Sequence, residues 1–366
     1  MLTTPAKDAL TIVCDPMTTE YGPVQPPILI AKCLIKEGYS VEVLSTTISK
    51  HIQNKLESMN VSTIDLGKKL FHRDPSLVWF KSWLAESFFS LNSKKVSRLS
   101  DTVLNFSNTV AVPSKVWYAQ GPPTATLDNI RSSLPRPYGM AYGFLSPFLK
   151  NVDRRFTKRL AEMSGSLIAN SKYLAKIYTK IGVKVSDVIY PPLDCSKFKP
   201  TASQPSGDYV ITYFGKETDF SIVKKAADMG VNIRSFGSKL RIIPKAVLRH
   251  KNIKALGHIS DHELASLYSN ALFTFYPFKD EPFGYVPVES MACGTPVVTF
   301  NRQGPSESVV NDLTGWLANS DKDIVNTALQ LWKNGYPANI RQQCIGRASF
   351  FEARTVAKKW IDLIKH

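Results

Sequence analysis

The acids Glu281 and Glu289 are the residues of this 366-residue chain best placed to do chemistry. An apolar run at 271–276 precedes them and predicts a strand buried in a parallel sheet. The turn at 282–284 would follow at the carboxyl end of that strand, where open α/β sheets bind ligands. Residues 286–292 predict a helix whose free N–H groups suit a diphosphate, and Glu289 would lie about one turn inside it, near enough to reach a ribose. The alternative is a loop acid and a helix acid that are both merely solvated.

The whole segment 280–298 closely resembles the donor-sugar motif of retaining glycosyltransferases with the GT-B architecture, in the large glycosyl transferase group 1 family. The resemblance implies that Glu281 meets the transferred sugar and that Glu289 holds the nucleotide ribose. It also implies donor contacts from the residues between the two acids, which are Phe283, Gly284, Tyr285 and Val286.

A lysine, Lys216, follows a predicted strand at 209–214, and the resemblance assigns it to the donor diphosphate. The family usually supplies an arginine and a lysine a few positions apart, whereas here the loop is shortened and Lys216 is the only cation in place. Lys224 or Lys225 could substitute for the second cation. Both fall on a predicted helix, where they could equally be solvated.

Two further candidate positions lie in the N-terminal half. Gly22 is in the loop between the first predicted strand and its helix, where the resemblance implies close approach to a donor phosphate or to the acceptor. A plain turn glycine is the alternative. Gln120 ends a predicted strand at 116–119, where the mannosyltransferase-like branch of the family commonly has a histidine. Glutamine can bond a sugar hydroxyl but cannot titrate, so we assign Gln120 to the catalytic site as a contact rather than a base.

Strand and helix signals alternate in the first third of the chain, at 10–14, 26–37 and 39–44. This order predicts a parallel, doubly wound sheet. The resemblance implies an α/β, GT-B fold with two Rossmann-like domains facing a cleft.

The segment 188–194 resembles the interdomain linker of the mannosyltransferase-like branch. We therefore expect an acceptor-side domain at 1–193 and a nucleotide-sugar-binding domain at 194–347. A C-terminal helix at 348–366 would follow, either crossing back to the first domain or capping the second.

The net charge of +16 is spread over both halves of the chain and calls for an anionic partner. A nucleotide with a phosphorylated acceptor, or an anionic membrane surface, would account for it. Nucleic acid is the less favoured partner, because the sequence has no zinc-finger spacing, RNP-type sequence or arginine-rich arm.

An aromatic stripe lies near residue 80. The residues at helical spacing are Leu77, Phe80, Leu84, Phe88 and Leu91. The apolar face is broadened by Trp79, Trp83 and Phe89, and basic residues follow, which are Lys94, Lys95 and Arg98. Such a stripe usually packs into a core. The alternative is an amphipathic element on a membrane, where tryptophans favour the interface and lysines meet headgroups.

Several features bear on compartment and cofactors. The five cysteines form no C-x-x-C pair and indicate a reduced protein. The first residues do not look like a signal peptide, so we expect a cytoplasmic protein, or one peripheral to the cytoplasmic membrane face.

The absence of G-x-G and Walker sequences argues against dinucleotide and P-loop enzymes. His258 and His262 invite a metal site, but Ser260 and Glu263 predict a helix cap between them, so we expect no metal.

The chemistry expected from these residues is transfer of a sugar from a nucleoside-diphosphate sugar to a hydroxyl acceptor, a glycan or a lipid-linked one, with retention and without a cofactor. Three alternatives stay open: a sugar-nucleotide 2-epimerase of the same fold, a non-catalytic sugar-nucleotide-binding protein, and a nucleic-acid-binding protein. The linker at 188–194 favours mannose weakly. The sequence does not identify the nucleotide base of the donor or the acceptor.

Overall fold

The computed structural model describes residues 7–20, 22–67, 75–131, 136–205, 207–237 and 242–365. The chain divides into two compact units. Unit 1 comprises Met1–Pro192 and Ala353–His366, and unit 2 comprises Leu193–Glu352. Each unit is an α/β fold built on a parallel sheet, as the alternation of strand and helix signals predicts.

Unit 1 contains a seven-stranded sheet among its described residues, in the order β3-β2-β1-β4-β5-β6-β7. Its strands are β1 Lys7–Cys14, β2 Tyr39–Ser45, β3 Ser62–Asp65, β4 Thr102–Asn105, β5 Ser114–Ala119, β6 Ser164–Ala169 and β7 Asp187–Val188. The helices between them are α1 Gln25–Lys36, α2 Lys50–Glu57, α3 Pro75–Phe89, α4 Pro123–Ile130, α5 Arg136–Glu162 and α6 Lys172–Ile181. The sheet is parallel throughout, and its strand order reverses direction between β1 and β4.

Unit 2 contains a six-stranded parallel sheet among its described residues, in the order β10-β9-β8-β11-β12-β13. Its strands are β8 Val210–Tyr213, β9 Ile233–Phe236, β10 Ile253–Ala255, β11 Thr274–Tyr276, β12 Val297–Phe300 and β13 Gly315–Ala318. Its helices are α7 Phe220–Asp228, α8 Lys245–Leu248, α9 Asp261–Asn270, α10 Tyr285–Ala292, α11 Pro305–Ser308, α12 Asp321–Asn334 and α13 Asn339–Ala348. Its strand order reverses between β8 and β11, which is the kind of point where such sheets bind ligands.

The last helix, α14 Ala353–Lys365, packs into unit 1. Trp360 is buried in the core that also contains α1 and the sheet, and its ring stacks on Phe106 at 4.8 Å between centroids. The Lys115 side chain donates a hydrogen bond to the Ile364 carbonyl at 2.8 Å. Of the segment expected at 348–366, the residues before Ala353 belong to unit 2.

The aromatic stripe of α3 is divided between two environments. Trp83 is fully buried with Phe80 packed against it, and the Trp79 indole N–H donates to the Asp15 carboxylate at 2.9 Å. Phe88 and Phe89, at the end of the same helix, are exposed. A single membrane-facing stripe is therefore wrong for its first half, which packs in the core because α3 lies against the unit 1 sheet.

None of the described helices combines the length and the apolar character that crossing a membrane would need.

Candidate active site

The loops that follow β8 and β11 form one wall at the switch point of the unit 2 sheet. Thr218 and Phe278 pair in an antiparallel bridge. On either side of it, the Lys279 N–H donates to the Glu217 carbonyl at 2.7 Å, and the Asp219 N–H donates to the Pro277 carbonyl at 2.9 Å. The residues that end these two strands are therefore held side by side.

Glu281 is fixed on this wall through both its side chain and its backbone. The Tyr276 hydroxyl donates to Oε2 of Glu281 at 2.9 Å. The Glu281 N–H donates to the side-chain oxygen of Gln303 at 2.6 Å, and the Gly304 N–H donates to the Glu281 carbonyl at 3.1 Å. The carboxylate is thereby oriented before any ligand arrives.

Burial, and to a smaller extent the neighbouring carboxylate of Glu217, raise the pKa of Glu281 to about 7. The Tyr276 hydrogen bond and the positive charge of Lys216 act in the opposite direction. This carboxyl group thus changes its charge near neutral pH, which is typical of functional sites.

The turn between Glu281 and α10 needs glycine. Gly284 has φ +85°, a conformation that side chains disfavour, and an added Cβ would come within 3.1 Å of the Glu281 side chain. The helix α10 begins at the next residue. The first N–H groups of a helix have no partner inside it, so those of Tyr285 and Val286 are available to an anion.

Glu289 lies one turn inside α10, as the spacing predicts. The Tyr268 hydroxyl donates to its Oε2 at 3.2 Å. Burial raises the pKa of Glu289 to about 7, with a smaller contribution from Asp261. Tyr285 is four residues earlier on the same helix, and its hydroxyl is buried without a hydrogen-bond partner among the described residues.

The Phe283 side chain is buried and packs on the rings of Tyr285 and Phe351, at 5.6 Å and 5.8 Å between centroids. Its N–H donates to the Glu281 carboxylate. The side chain therefore supports the turn, and the assignment of Phe283 to direct donor contact stays a prediction.

Glu217 is the residue that the sequence motifs missed. Its Oε1 lies 4.0 Å from the ammonium group of Lys216, and its Oε2 is buried without a partner among the described residues. A lone acid after Lys216 carries no motif, and only the pairing of the two loops brings it close to Glu281. A site expected to hold a diphosphate thus has a third acid beside its lysine.

The structure distinguishes the two candidates for a second diphosphate-binding cation, which both lie on α7. Lys224 forms an ion pair with Asp228 at 2.8 Å, one turn along the helix, so it is engaged on the helix surface. Lys225 lies on the same helix and is exposed.

The expected helix cap is confirmed: Ser260 and Glu263 form a capping box at the start of α9, and His258 lies outside that helix. Among the described residues no cluster of three or more potential metal ligands occurs.

Gln120 and Gly22 belong to unit 1, whereas Lys216, Glu281 and Glu289 belong to unit 2. The Gln120 amide nitrogen donates to the Pro23 carbonyl at 3.1 Å and to the Phe106 carbonyl at 3.2 Å, so it holds the ends of neighbouring loops. An added Cβ at Gly22 would meet no atom within 4 Å, and its φ is not positive. The fold itself does not demand glycine there. The roles of both residues in sugar or donor binding stay predictions.

Comparison with known proteins agrees with this geometry. Residues 241–349 match the family model described as glycosyl transferases group 1. An alpha-1,3/1,6-mannosyltransferase of Mus musculus is 26% identical over 208 residues, which is 46% of this chain and 50% of the mouse protein. An uncharacterized glycosyltransferase of Methanocaldococcus jannaschii is 25% identical over 82% of this chain and 83% of its own length.

Among solved structures, HepE of Anabaena, determined in complex with UDP and glucose, superposes with a TM-score of 0.67 at 16% identity. The match covers 98% of this chain and all of HepE. At this identity the likeness shows the fold, which is GT-B, as the sequence predicts. Together the comparisons support a glycosyltransferase with the GT-B fold. The chain spans half the length of the mouse relative that it matches.

Proposed function

We propose that the protein is a retaining glycosyltransferase that moves a sugar from a nucleoside-diphosphate sugar to a hydroxyl acceptor. The observation that carries the proposal is the convergence of Lys216, Glu281 and Glu289 at the switch point of the unit 2 sheet, beside the start of α10. A cation, two oriented carboxylates and free helix N–H groups match the parts of such a donor: diphosphate, sugar and ribose.

Each group has one task in this reaction. The N–H groups of Tyr285 and Val286 and the ammonium group of Lys216 hold the diphosphate and stabilise the charge it gains on leaving. Glu281 lies beside the sugar ring as positive charge builds there. The acceptor oxygen attacks the anomeric carbon on the face from which the diphosphate departs, the bond from that carbon to the phosphate oxygen breaks, and a diphosphate oxygen takes the acceptor proton.

The proposed donor sugar is mannose and the proposed acceptor is a lipid-linked glycan or lipid phosphate. The mouse relative is named for mannosyl transfer, and the linker at 188–194 resembles that of the same branch.

We also propose that no metal is required, because Lys216 and α10 can neutralise the diphosphate. Activity should then survive EDTA, and restoration of a chelated, inactive enzyme by magnesium or manganese would contradict this.

A donor panel tests the proposal. The protein is mixed with UDP- and GDP-sugars, with and without a lipid-phosphate acceptor, and mass spectrometry measures the released UDP or GDP. NMR of the product gives its anomeric configuration. Glu281→Ala should lower the rate ~10²–10³-fold, since it removes a contact made as charge develops. Asp208→Ala, which changes an exposed acid of the same unit, should leave the rate unchanged. Near-parental turnover of Glu281→Ala would overturn the assignment.

A sugar-nucleotide-binding protein without catalysis is the second candidate. The 4.0 Å contact between Lys216 and Glu217 favours it, because the acid offsets the positive charge that the leaving diphosphate needs. In the same panel this candidate predicts saturable donor binding with no release of nucleotide.

A further inference from the structure

An exposed apolar surface in unit 1 has no partner in the described fold. It is formed where the end of α3 meets the outer face of α5, and we call it the apolar ledge; its members are Phe88, Phe89, Leu91, Met140, Phe144, Leu145 and Phe148. Phe144 is 87% exposed and Phe89 is 64% exposed. The rings of Phe88 and Phe148 stack at 6.1 Å between centroids, which joins the two helices into one surface.

The ledge is not the edge of the core. The opposite face of α5 already supplies core residues, Tyr142, Leu149 and Phe156, and α3 supplies Trp83. Met140, Phe144 and Phe148 follow each other at intervals of four on the solvent side of α5, which is the spacing of a continuous helical strip. A helix that is apolar on both sides normally has a second partner, and a contiguous exposed apolar patch marks an interaction site.

A basic cavity of ≈ 540 Å³ adjoins the ledge. It begins at Ser90, directly after Phe89, and its polar lining consists of three cations and three serines: Lys94, Arg98, Arg159, Ser90, Ser93 and Ser97. No carboxylate is among the described residues that line it. The Arg159 guanidinium donates to the Ser90 hydroxyl at 2.8 Å, so one cation is already held beside the residue that follows Phe89 of the ledge.

The turn between the ledge and the cavity is held rigidly. The buried Glu86 carboxylate accepts hydrogen bonds from the N–H groups of Asn92 and Ser93 at 2.8 Å and 3.1 Å, and from Ala111 at 3.2 Å. These bonds fix the Ser90–Lys95 region in position, so the cavity and the ledge are presented together before a ligand binds.

We propose that the apolar ledge and the basic cavity form a docking surface for an anionic phospholipid bilayer. The cavity would take the phosphate of a headgroup, and the ledge would enter the interfacial layer, where aromatic side chains are favoured. Charge complementarity points to this occupant: the chain carries +16, and α5, which supplies Arg159 to the cavity, also has basic residues at exposed positions, which are Arg154, Arg155 and Lys158. A nucleic acid would use the cations but leaves the ledge unexplained.

This surface lies entirely in unit 1 and does not depend on the proposed transfer reaction, so either proposal can fail without the other. Co-sedimentation of the full chain with vesicles tests it. Vesicles of phosphatidylcholine alone are compared with an equimolar mixture of phosphatidylcholine and phosphatidylglycerol at low and high salt. We expect binding to the mixed vesicles alone, and loss of binding at high salt.

Two pairs of variants separate the parts of the surface. Lys94→Glu with Arg98→Glu should reduce vesicle binding ~tenfold or more, whereas the control pair Lys358→Glu with Lys359→Glu, exposed on α14, should have little effect. Phe89→Ser with Phe144→Ser should reduce it by a similar factor, whereas Phe350→Ser, an exposed phenylalanine of unit 2, should not.

Equal binding to neutral vesicles, or an equal loss in the control pair, would overturn the proposal. A Phe89→Ser/Phe144→Ser variant that binds vesicles as the parent does, while RNA competes for the same cations, would also overturn it. That result would assign the basic cavity to nucleic acid. Circular dichroism checks that each variant is folded. If the double variant does not fold, Phe144→Ser alone replaces it in the vesicle experiment, because Phe144 is almost fully exposed.

Discussion

Glu281 and Glu289 share a property that their sequence positions do not reveal: burial raises the pKa of each to about 7. A carboxyl group with a raised pKa stays protonated up to a higher pH, so both lose their charge as pH falls through neutrality. If the ionised forms contact the sugar and the ribose, donor use must weaken in the same range.

We therefore predict that kcat/KM rises with pH between ~6 and ~8 and then levels. Glu289→Gln should make the rise shallower, because one of the two titrating groups is removed. It should also weaken nucleoside-diphosphate binding more than the chemical step, since a ribose contact is present before and during reaction. A pH–rate profile and calorimetry measure these effects. An identical profile in the variant would mean that Glu289 does not titrate in the reaction.

Glu217 and Lys216 should act in opposite directions on the diphosphate. Glu217→Gln removes a negative charge beside Lys216 and Glu281, so affinity for the nucleoside diphosphate should rise severalfold and the kinetic pKa near 7 should fall. Lys216→Ala should lower that affinity ~tenfold and leave affinity for the bare nucleoside unchanged. Calorimetry with both ligands checks this. A Glu217→Gln variant that binds the diphosphate more weakly would show that this acid is itself a donor contact.

At the scale of elements, local signals predicted several features of the unit 2 backbone well. Gly284, the start of α10 and the capping box of Ser260 and Glu263 depend on neighbouring residues, and each forms as expected. The predicted strand at 271–276 is shorter in the structure and begins at Thr274, because regular pairing with β12 starts there.

Elements whose environment is set by distant parts of the chain were not predictable in this way. Helical spacing gave the aromatic stripe of α3, but only the placement of the sheet decides that Trp83 is buried and Phe89 exposed. The long helix α5 carries Pro147 in its interior, and that residue normally argues for a break. Glu217 entered the site through the pairing of two loops, which no local pattern encodes.

The last helix should be essential to unit 1. Trp360 is buried, stacks on Phe106 and meets the edge of Tyr118 at 5.2 Å between centroids. Trp360→Ala should lower the free energy of unfolding of unit 1 by ~3–5 kcal/mol, the usual cost of a large cavity. Urea unfolding followed by fluorescence measures it, with Phe350→Ala as the exposed control. A change below ~1 kcal/mol would mean that α14 contributes little to the core.

At the scale of the whole molecule, the chain order suggests which part can stand alone. Unit 2 is one continuous segment, Leu193–Glu352, with its own parallel sheet, and Lys216, Glu281 and Glu289 all belong to it. Unit 1 needs two segments, because Trp360 comes from the far end of the chain. The ends of unit 2 lie side by side, since the Leu193 N–H donates to the Phe351 carbonyl at 2.6 Å.

We predict that residues 193–352 fold alone and bind the nucleoside diphosphate within ~tenfold of the full chain, because the donor contacts that we propose are local to this unit. Residues 1–192 should fold only when 353–366 are joined to them, which a short glycine–serine linker permits given the closeness of residues 193 and 351. Circular dichroism reports folding and calorimetry reports binding. A folded 193–352 fragment that fails to bind would show that residues of unit 1 supply part of the donor site, and Gln120 and Gly22 would be the first to test by substitution.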